Sequence, residues 1–216
     1  NKSDSNFRNY LGGAPANVVC ALRKLEVPAA FIGCLGDDEY GREFIRLFQQ
    51  LDINIDFLQI AKQASTRIVK VMRDESGDRS FSGFEVTKSS SFADEMLDKL
   101  LLNTNIKNLK KQFLNTKYIV TGTNLLAFSQ SADALYFILN FAKSFRVKII
   151  IDVNWREIFW EHSNIDKDAK LKKVKKFLHH ADILKLANEE AYLFFNTSDP
   201  SEISKVLIKH PDVIIT

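Results

Sequence analysis

The chain of 216 residues has little of several things. It has two cysteines, Cys20 and Cys34, and both sit inside apolar runs. They lack metal-ligand spacing, and two thiols are weak evidence for a disulfide framework. They read as reduced core residues, which gives an expectation of a cytoplasmic setting. No apolar run approaches the roughly 20 residues of a membrane-spanning helix, so no membrane partner is expected. The opening NKSDSNFRN is polar and shows no secretory leader pattern. Charge of one sign is also scarce. Thirty Lys and Arg against 27 Asp and Glu leave a net charge of +3. Those charges are interspersed, so nothing points to a nucleic-acid partner. There is no internal repeat. What is present is 45% hydrophobic and 26% charged residues, the mix of a soluble globular domain with a sizeable core.

Apolar spacing organises the chain. VPAAFIGCLG, 27–36, reads as a buried strand. DDEYGREFIRLFQQL follows, with Phe44, Leu47, Phe48 and Leu51 at helical spacing behind Asp37 and Asp38, where acids suit a helix start. From Thr66 to Phe84, TRIVKVMRD and RSFSGF flank the turn signal ESG and predict an antiparallel hairpin. The stretch from Ser89 to Asn105 reads first as loop, and KNLKKQ as surface. KYIVTG, VKIIIDVN, DILKLA and DVIIT then read as strands. Between them lie helices with Leu135, Ile138, Leu139 and Ala142, then Leu171, Val174, Leu178 and Ala181, facing inward. The last helix starts with Asp199 as cap and Pro200 in its first turn. Near-continuous Ile/Val strands alternating with helices imply parallel pairing and an α/β fold. Ligands of such sheets gather beyond the strands' carboxyl ends.

Three stretches could carry chemistry. GGAPAN, 12–17, places Gly12 and Gly13 before a helix whose first turn holds Pro15 and Asn17. Free N–H groups beside an amide that both donates and accepts suit a polyhydroxylated ligand. From the spacing alone a plain glycine turn before a capped helix is the favoured reading. In DVNWR, Asp152, Asn154 and Arg156 alternate past a strand end, where Arg156 could grip an anion. A surface turn with an ion pair reads equally well, given the strand-end position. In NEEA, Asn188, Glu189 and Glu190 open a helix. Carboxylates there could hold Mg²⁺ through water, or simply complement the helix dipole. His179 and His180 are adjacent and point apart on a helix, and Trp155 and Trp160 read as packing residues.

Taken in order, GGAPANVVCALRKL, AFIGCLGDDEYGREF, TRIVKVMRDESGDRSF, DVNWREIFW and ADILKLANEEA resemble the ribokinase-like (PfkB) family of carbohydrate kinases, most of all its fructokinase branch. The resemblance runs from about Tyr10 to the end. It implies a ribokinase-like, mostly parallel sheet flanked by helices, with a small β lid formed by the hairpin at about 66–84. It implies that Gly12, Gly13 and Asn17 bind the sugar, that Gly36, Asp37 and Gly41 shape the site floor, and that Asn154 and Arg156 lie near sugar and phosphate. Val153 replaces the proline usual there. Glu190 matches the glutamate that organises Mg²⁺ and phosphate, while Ala187 stands where the family has Asn or Ser, and Asn188 could take that place. The implied activity is ATP-dependent phosphorylation of a small sugar, most of all fructose. The alternatives are a ketodeoxygluconate, ribose or nucleoside kinase of the same fold, or a catalytically silent binding protein. Family lids often pair as a clasp, which adds a homodimer through the hairpin as an option. The family's first strand and its Gly-Ala-Gly-Asp element, which carries the catalytic base, have no match in these residues. The expectation is one incomplete kinase domain over 1–216, inactive alone.

Overall fold

In the computed structural model, which describes residues 10–73, 79–85, 91–161 and 166–216, Gly13 turns the chain into its first helix. Its φ of 104° is open to glycine and strained for other residues. Helix α1 (Ala14–Lys24) follows with Pro15 in the first turn and buries Ala16 and Val19, three positions apart on one face. Strand β1 (Ala30–Gly36) begins three residues later than the sequence pattern suggests. Val27 N–H is spent on Leu22 O at the helix end, and Pro28 has no N–H to give. Helix α2 (Glu39–Gln50) turns Gly41, Phe44 and Phe48 inward. It leads to β2 (Asn54–Ala61), which lies parallel to β1 from Ala30↔Asn54 to Gly36↔Ala61. Sequence patterning leaves β2 unassigned, because Asp56 and Gln59 interrupt the apolar run of NIDFLQIA.

The hairpin forms as expected. Strands β3 (Val69–Arg73) and β4 (Arg79–Phe84) pair antiparallel, with Val69 opposite Phe84. The ESG turn lies outside the described residues. The loop reading of the next segment gives way to a one-turn 3₁₀ helix at Ala93–Met96 and two short helices, α3 (Lys99–Thr104) and α4 (Ile106–Leu114). Lysines of KNLKKQ face solvent, but Leu109 and Phe113 are buried at i, i+4 spacing, which holds α4 to the core.

The second half alternates as its pattern dictates: β5 (Tyr118–Thr121), α5 (Ser129–Ser144), β6 (Lys148–Asp152), α6 (Lys167–Leu178), β7 (Ile183–Leu186), α7 (Asn188–Phe195), α8 (Pro200–Val206) and β8 (Asp212–Ile215). The sheet order is β5-β6-β7-β8, every neighbour parallel. So the fold is α/β, with parallel strands flanked by helices, divided between this sheet and the β1-β2 pair. Ile149, Ile151, Leu184 and Leu186 of the central strands are fully buried against Trp160, Phe177, Leu178 and Phe194. Each such side chain contributes on the order of 1.5–3 kcal/mol by leaving water. Cys20 and Cys34 are free, as expected. Burial, with Asp94 adding to it, pushes the Cys34 thiol up to about 11, so it stays protonated and unreactive.

Candidate functional site

In the four-stranded sheet all strands run the same way, so their carboxyl ends share one edge. Side chains and main chain stitch the loops at that edge together. Thr123, fully buried after β5, donates its hydroxyl to Val153 O at 2.6 Å. Asn188 N–H, at the start of α7, donates to Thr216 O at 3.0 Å. Between these two links stands Glu190, 9% exposed. Its Oε2 accepts the N–H of Ala187 at 2.8 Å, which caps α7. Its Oε1 accepts the N–H of Trp155 at 2.6 Å, across from the loop after β6. One carboxylate therefore holds the helix start and the 154–156 turn in fixed register.

That turn is irregular, which corrects the expected alternation. Asp152 ends β6 and pairs with Lys185 on the neighbouring strand at 3.0 Å. Val153 is fully buried. Asn154 takes φ 41°, the left-handed region that Asn tolerates better than most residues. Arg156 lies half-buried with Nη1 on Trp155 O at 2.9 Å. So Asn154 and Arg156 do gather with Asn188 and Glu190 at the strand ends, whereas Asp152 is committed to an ion pair. Trp155 and Trp160 pack on each other, ring centroids 5.3 Å apart, and Trp160 is fully buried, as their reading as packing residues requires.

At the carboxyl end of β1 the chain makes a second tight junction. Asp38 caps α2 by accepting Gly41 N–H at 2.8 Å, and its other oxygen accepts Thr66 N–H at 2.6 Å. Thr66 returns its hydroxyl as acceptor for Gly36 N–H at 3.0 Å. Sequence patterning places Asp37 and Asp38 alike at this helix start. The structure makes Asp38 the link to the root of the hairpin, while Asp37 is exposed and pairs loosely with Arg42 at 3.5 Å.

Burial pushes the Asp38 carboxyl up, but the amides of Gly41 and Thr66, the Thr66 side chain and the Arg42 charge outweigh it and hold the group below the ordinary aspartate value. A carboxyl depressed on folding stabilises the fold above the unfolded value of about 4 and loses that contribution as pH falls through the lower folded value. Asp38→Asn is expected to cost about 1–2 kcal/mol at neutral pH, with the gap to the parent narrowing below about pH 4. Urea unfolding from pH 7 to pH 2.5 measures it. A gap that stays constant would show that the charge at Asp38 is idle.

Gly12 and Gly13 are exposed at the start of α1, and a methyl added at either would meet nothing within 4 Å. Asn17 is exposed one turn on, its N–H closing the turn to Gly13 O at 2.9 Å. Among the described residues no hydrogen bond joins this corner to the 154–156 turn. Residues that patterning misses are Arg67 at the hairpin root and, for Glu190, its role toward the backbone. Arg67 pairs with Asp94 and Glu95, 27 and 28 positions along the chain, a separation for which no local pattern exists.

Comparison with known proteins gives the following. A family model described as pfkB family carbohydrate kinase matches residues 1–216. The chain is 29% identical over 201 residues to a probable fructokinase-5 of Arabidopsis thaliana, covering 93% of this chain and 57% of that protein. It is 29% identical over 160 residues to a 5-dehydro-2-deoxygluconokinase of Clostridium perfringens, covering 74% of this chain and 44% of that one. The chain thus spans about half the length of these relatives. A crystal structure of fructokinase from Vibrio cholerae O395 in fructose-, ADP- and calcium-bound form superposes with a TM-score of 0.78 at 22% identity, covering 100% of this chain and 66% of that one.

Proposed function

Because the chain belongs to the pfkB family of carbohydrate kinases, we propose that the full-length protein transfers the terminal phosphoryl group of ATP to a hydroxyl of a small sugar, with fructose the first candidate. The observation that carries this reading is the stitched edge: a buried carboxylate, Glu190, fixing a turn that bears Asn154 and Arg156 beside a helix start. Phosphoryl transfer asks for positioning and charge neutralisation more than for covalent chemistry, and this edge supplies positioned polar groups. Arg156 is the residue proposed to meet phosphate, since its planar fork matches an anion's oxygens. Gly12, Gly13 and Asn17 are proposed to hold the sugar against the open corner before α1.

Mg²⁺ is the implied metal. Each Glu190 oxygen accepts one backbone N–H, which leaves a lone pair on each for the water shell of an ion. No group of three ligating side chains occurs among the described residues. Mg²⁺ seldom needs one, because it keeps its water and takes phosphate oxygens. Glu190 would hold it through water, and the ion would neutralise phosphate charge. A Gly-Ala-Gly-Asp element does not occur in these residues, so this reading places the catalytic base on none of them. A homodimer through the hairpin and a cytoplasmic location belong to the same proposal.

The assay follows ADP formation by the full-length protein with fructose, ribose, a ketodeoxygluconate and nucleosides. Sugar-dependent ADP formation is expected, highest with fructose. Equal turnover with every acceptor, or with none, counts against it. Activity confined to the sugar acid would favour the second reading, to which the Clostridium relative at equal identity lends support. Within the same assay, Asn17→Ala is expected to raise the sugar KM at least about tenfold, near the cost of one or two lost hydrogen bonds, and to leave the ATP KM alone. Equal effects on both would remove Asn17 from the sugar site.

A further inference from the structure

The hairpin root is held by a cluster that the proposed reaction does not use. Arg67 lies two residues before the start of β3, and its side chain is only 7% exposed. Nε reaches both oxygens of Asp94, at 3.1 and 2.9 Å. Nη2 donates to Asp94 Oδ1 at 3.0 Å and to Glu95 Oε1 at 2.7 Å. The rest of the guanidinium is lined by rings. Its central carbon lies 4.0 Å from the centre of Phe92, 4.5 Å from Phe84, 4.8 Å from Phe159 and 5.3 Å from Phe128. Every one is within the range of cation–π attraction.

These rings belong to four different parts of the fold. Phe84 is the last residue of β4, Phe92 precedes the 93–96 turn, Phe128 precedes α5, and Phe159 follows Arg156 by three residues. Phe84 and Phe159 meet edge to face, centroids 5.2 Å apart. Among the described residues the Phe84–Phe159 pair therefore joins the hairpin to the 154–160 segment, and the Arg67 guanidinium packs on both rings. If the hairpin tilts relative to the strand ends, Phe84 must slide over Phe159, and Arg67 must give up part of its cage or of its carboxylate fork.

We infer that Arg67 is a positioning residue which couples the root of the hairpin to the 154–160 segment, and through it sets how firmly the hairpin covers the sugar. This rests on the reading of the hairpin as a sugar-site lid. Arg67 touches no sugar in this scheme. It acts through Phe84 and Phe159. Lysine cannot replace it, because an ammonium has neither the planar fork nor a face to stack.

The test uses full-length Arg67→Lys and Phe159→Leu. The second removes the ring between hairpin and turn and leaves the Arg67–Asp94 pair whole. Without sugar, amide exchange of β4 and emission from Trp155 and Trp160, the tryptophans of this sequence, read the coupling directly. Both variants are expected to exchange faster in β4 and to emit at longer wavelength. With sugar, both are expected to raise the sugar KM roughly tenfold, the scale of one lost desolvated cation–π contact, with the ATP KM changed less than about twofold. Unchanged exchange and emission in a folded variant overturn the coupling, and so does an equal rise in both KM values. Faster exchange and shifted emission, in a protein that phosphorylates no sugar, support the coupling and overturn the kinase reading alone. If Arg67→Lys does not fold, Phe159→Leu decides.

Discussion

Glu190→Gln is expected to lower kcat of the full-length protein by about 10- to 100-fold, the usual cost of losing a group that orients a metal or phosphate site. Glutamine keeps one carbonyl oxygen, so it can serve either Ala187 N–H or Trp155 N–H but not both. Its NH₂ then faces a backbone donor. A hydrogen bond to a charged acceptor is worth about 1.5–3 kcal/mol, so stability should fall by about that amount even where activity is not assayed. Two measurements separate the roles. Thermal unfolding reads the lost backbone link, and the magnesium dependence of kcat reads any role toward the ion. Glu190→Asp is shorter by one methylene and should also fail to span the gap. Parental stability and parental kcat in Glu190→Gln would show that the stitch is dispensable.

A loss of stability of similar size is expected from Gly41→Ala. Gly41 is buried in the first turn of α2, and a Cβ there would collide with the carbonyl oxygen of Gly36. The obstacle is backbone, held on its other side by Thr66 and paired in β1, so it has no free end to swing aside. Alanine gains about 1 kcal/mol over glycine as a helix former, whereas overpacking against a fixed group costs about 1–3 kcal/mol and sometimes more. The collision outweighs the propensity, and α2 must lift off the end of β1. Taking the upper end of that cost, the net loss is about 2 kcal/mol, a Tm fall of roughly 4–8 °C in a domain of this size. A scanning calorimetry trace within 2 °C of the parent would mean that the helix start yields more easily than its hydrogen bonds suggest.

Much of this fold is legible because its signals are local. The Ile/Val strands and the helices between them announce themselves by period, and Asp199 with Pro200 marks the start of α8. What escaped is non-local. Strand β2 is interrupted by Asp56 and Gln59 and does not look like a buried run, yet Phe57 and Ala61 become core once β1 lies beside them. Helix α4 hides Leu109 and Phe113 among lysines. At the site, the sequence indicates Asn154, Arg156 and Glu190 but not their geometry. The turn at Asn154 depends on φ 41°, and the function of Glu190 toward Trp155 joins positions 35 residues apart. Arg67 shows the same limit: neither its carboxylates nor its rings at Phe128 and Phe159 are sequence neighbours.

The parallel register also sets an order of assembly. In the hairpin, Val69 meets Phe84 and Arg73 meets Arg79, so pairing closes only short loops. Such local contacts form in about 1–10 microseconds. Tyr118 meets Lys148 and Ile150 meets Ile183, each across some thirty residues and a whole helix. Long-range pairing must first lose loop-closure entropy and is slower. The hairpin is thus expected to exist, transiently, before the parallel sheet. Refolding should show early protection at β3 and β4 and late protection at the amides of Ala187 and Trp155, which find Glu190 only after β6 and β7 have paired.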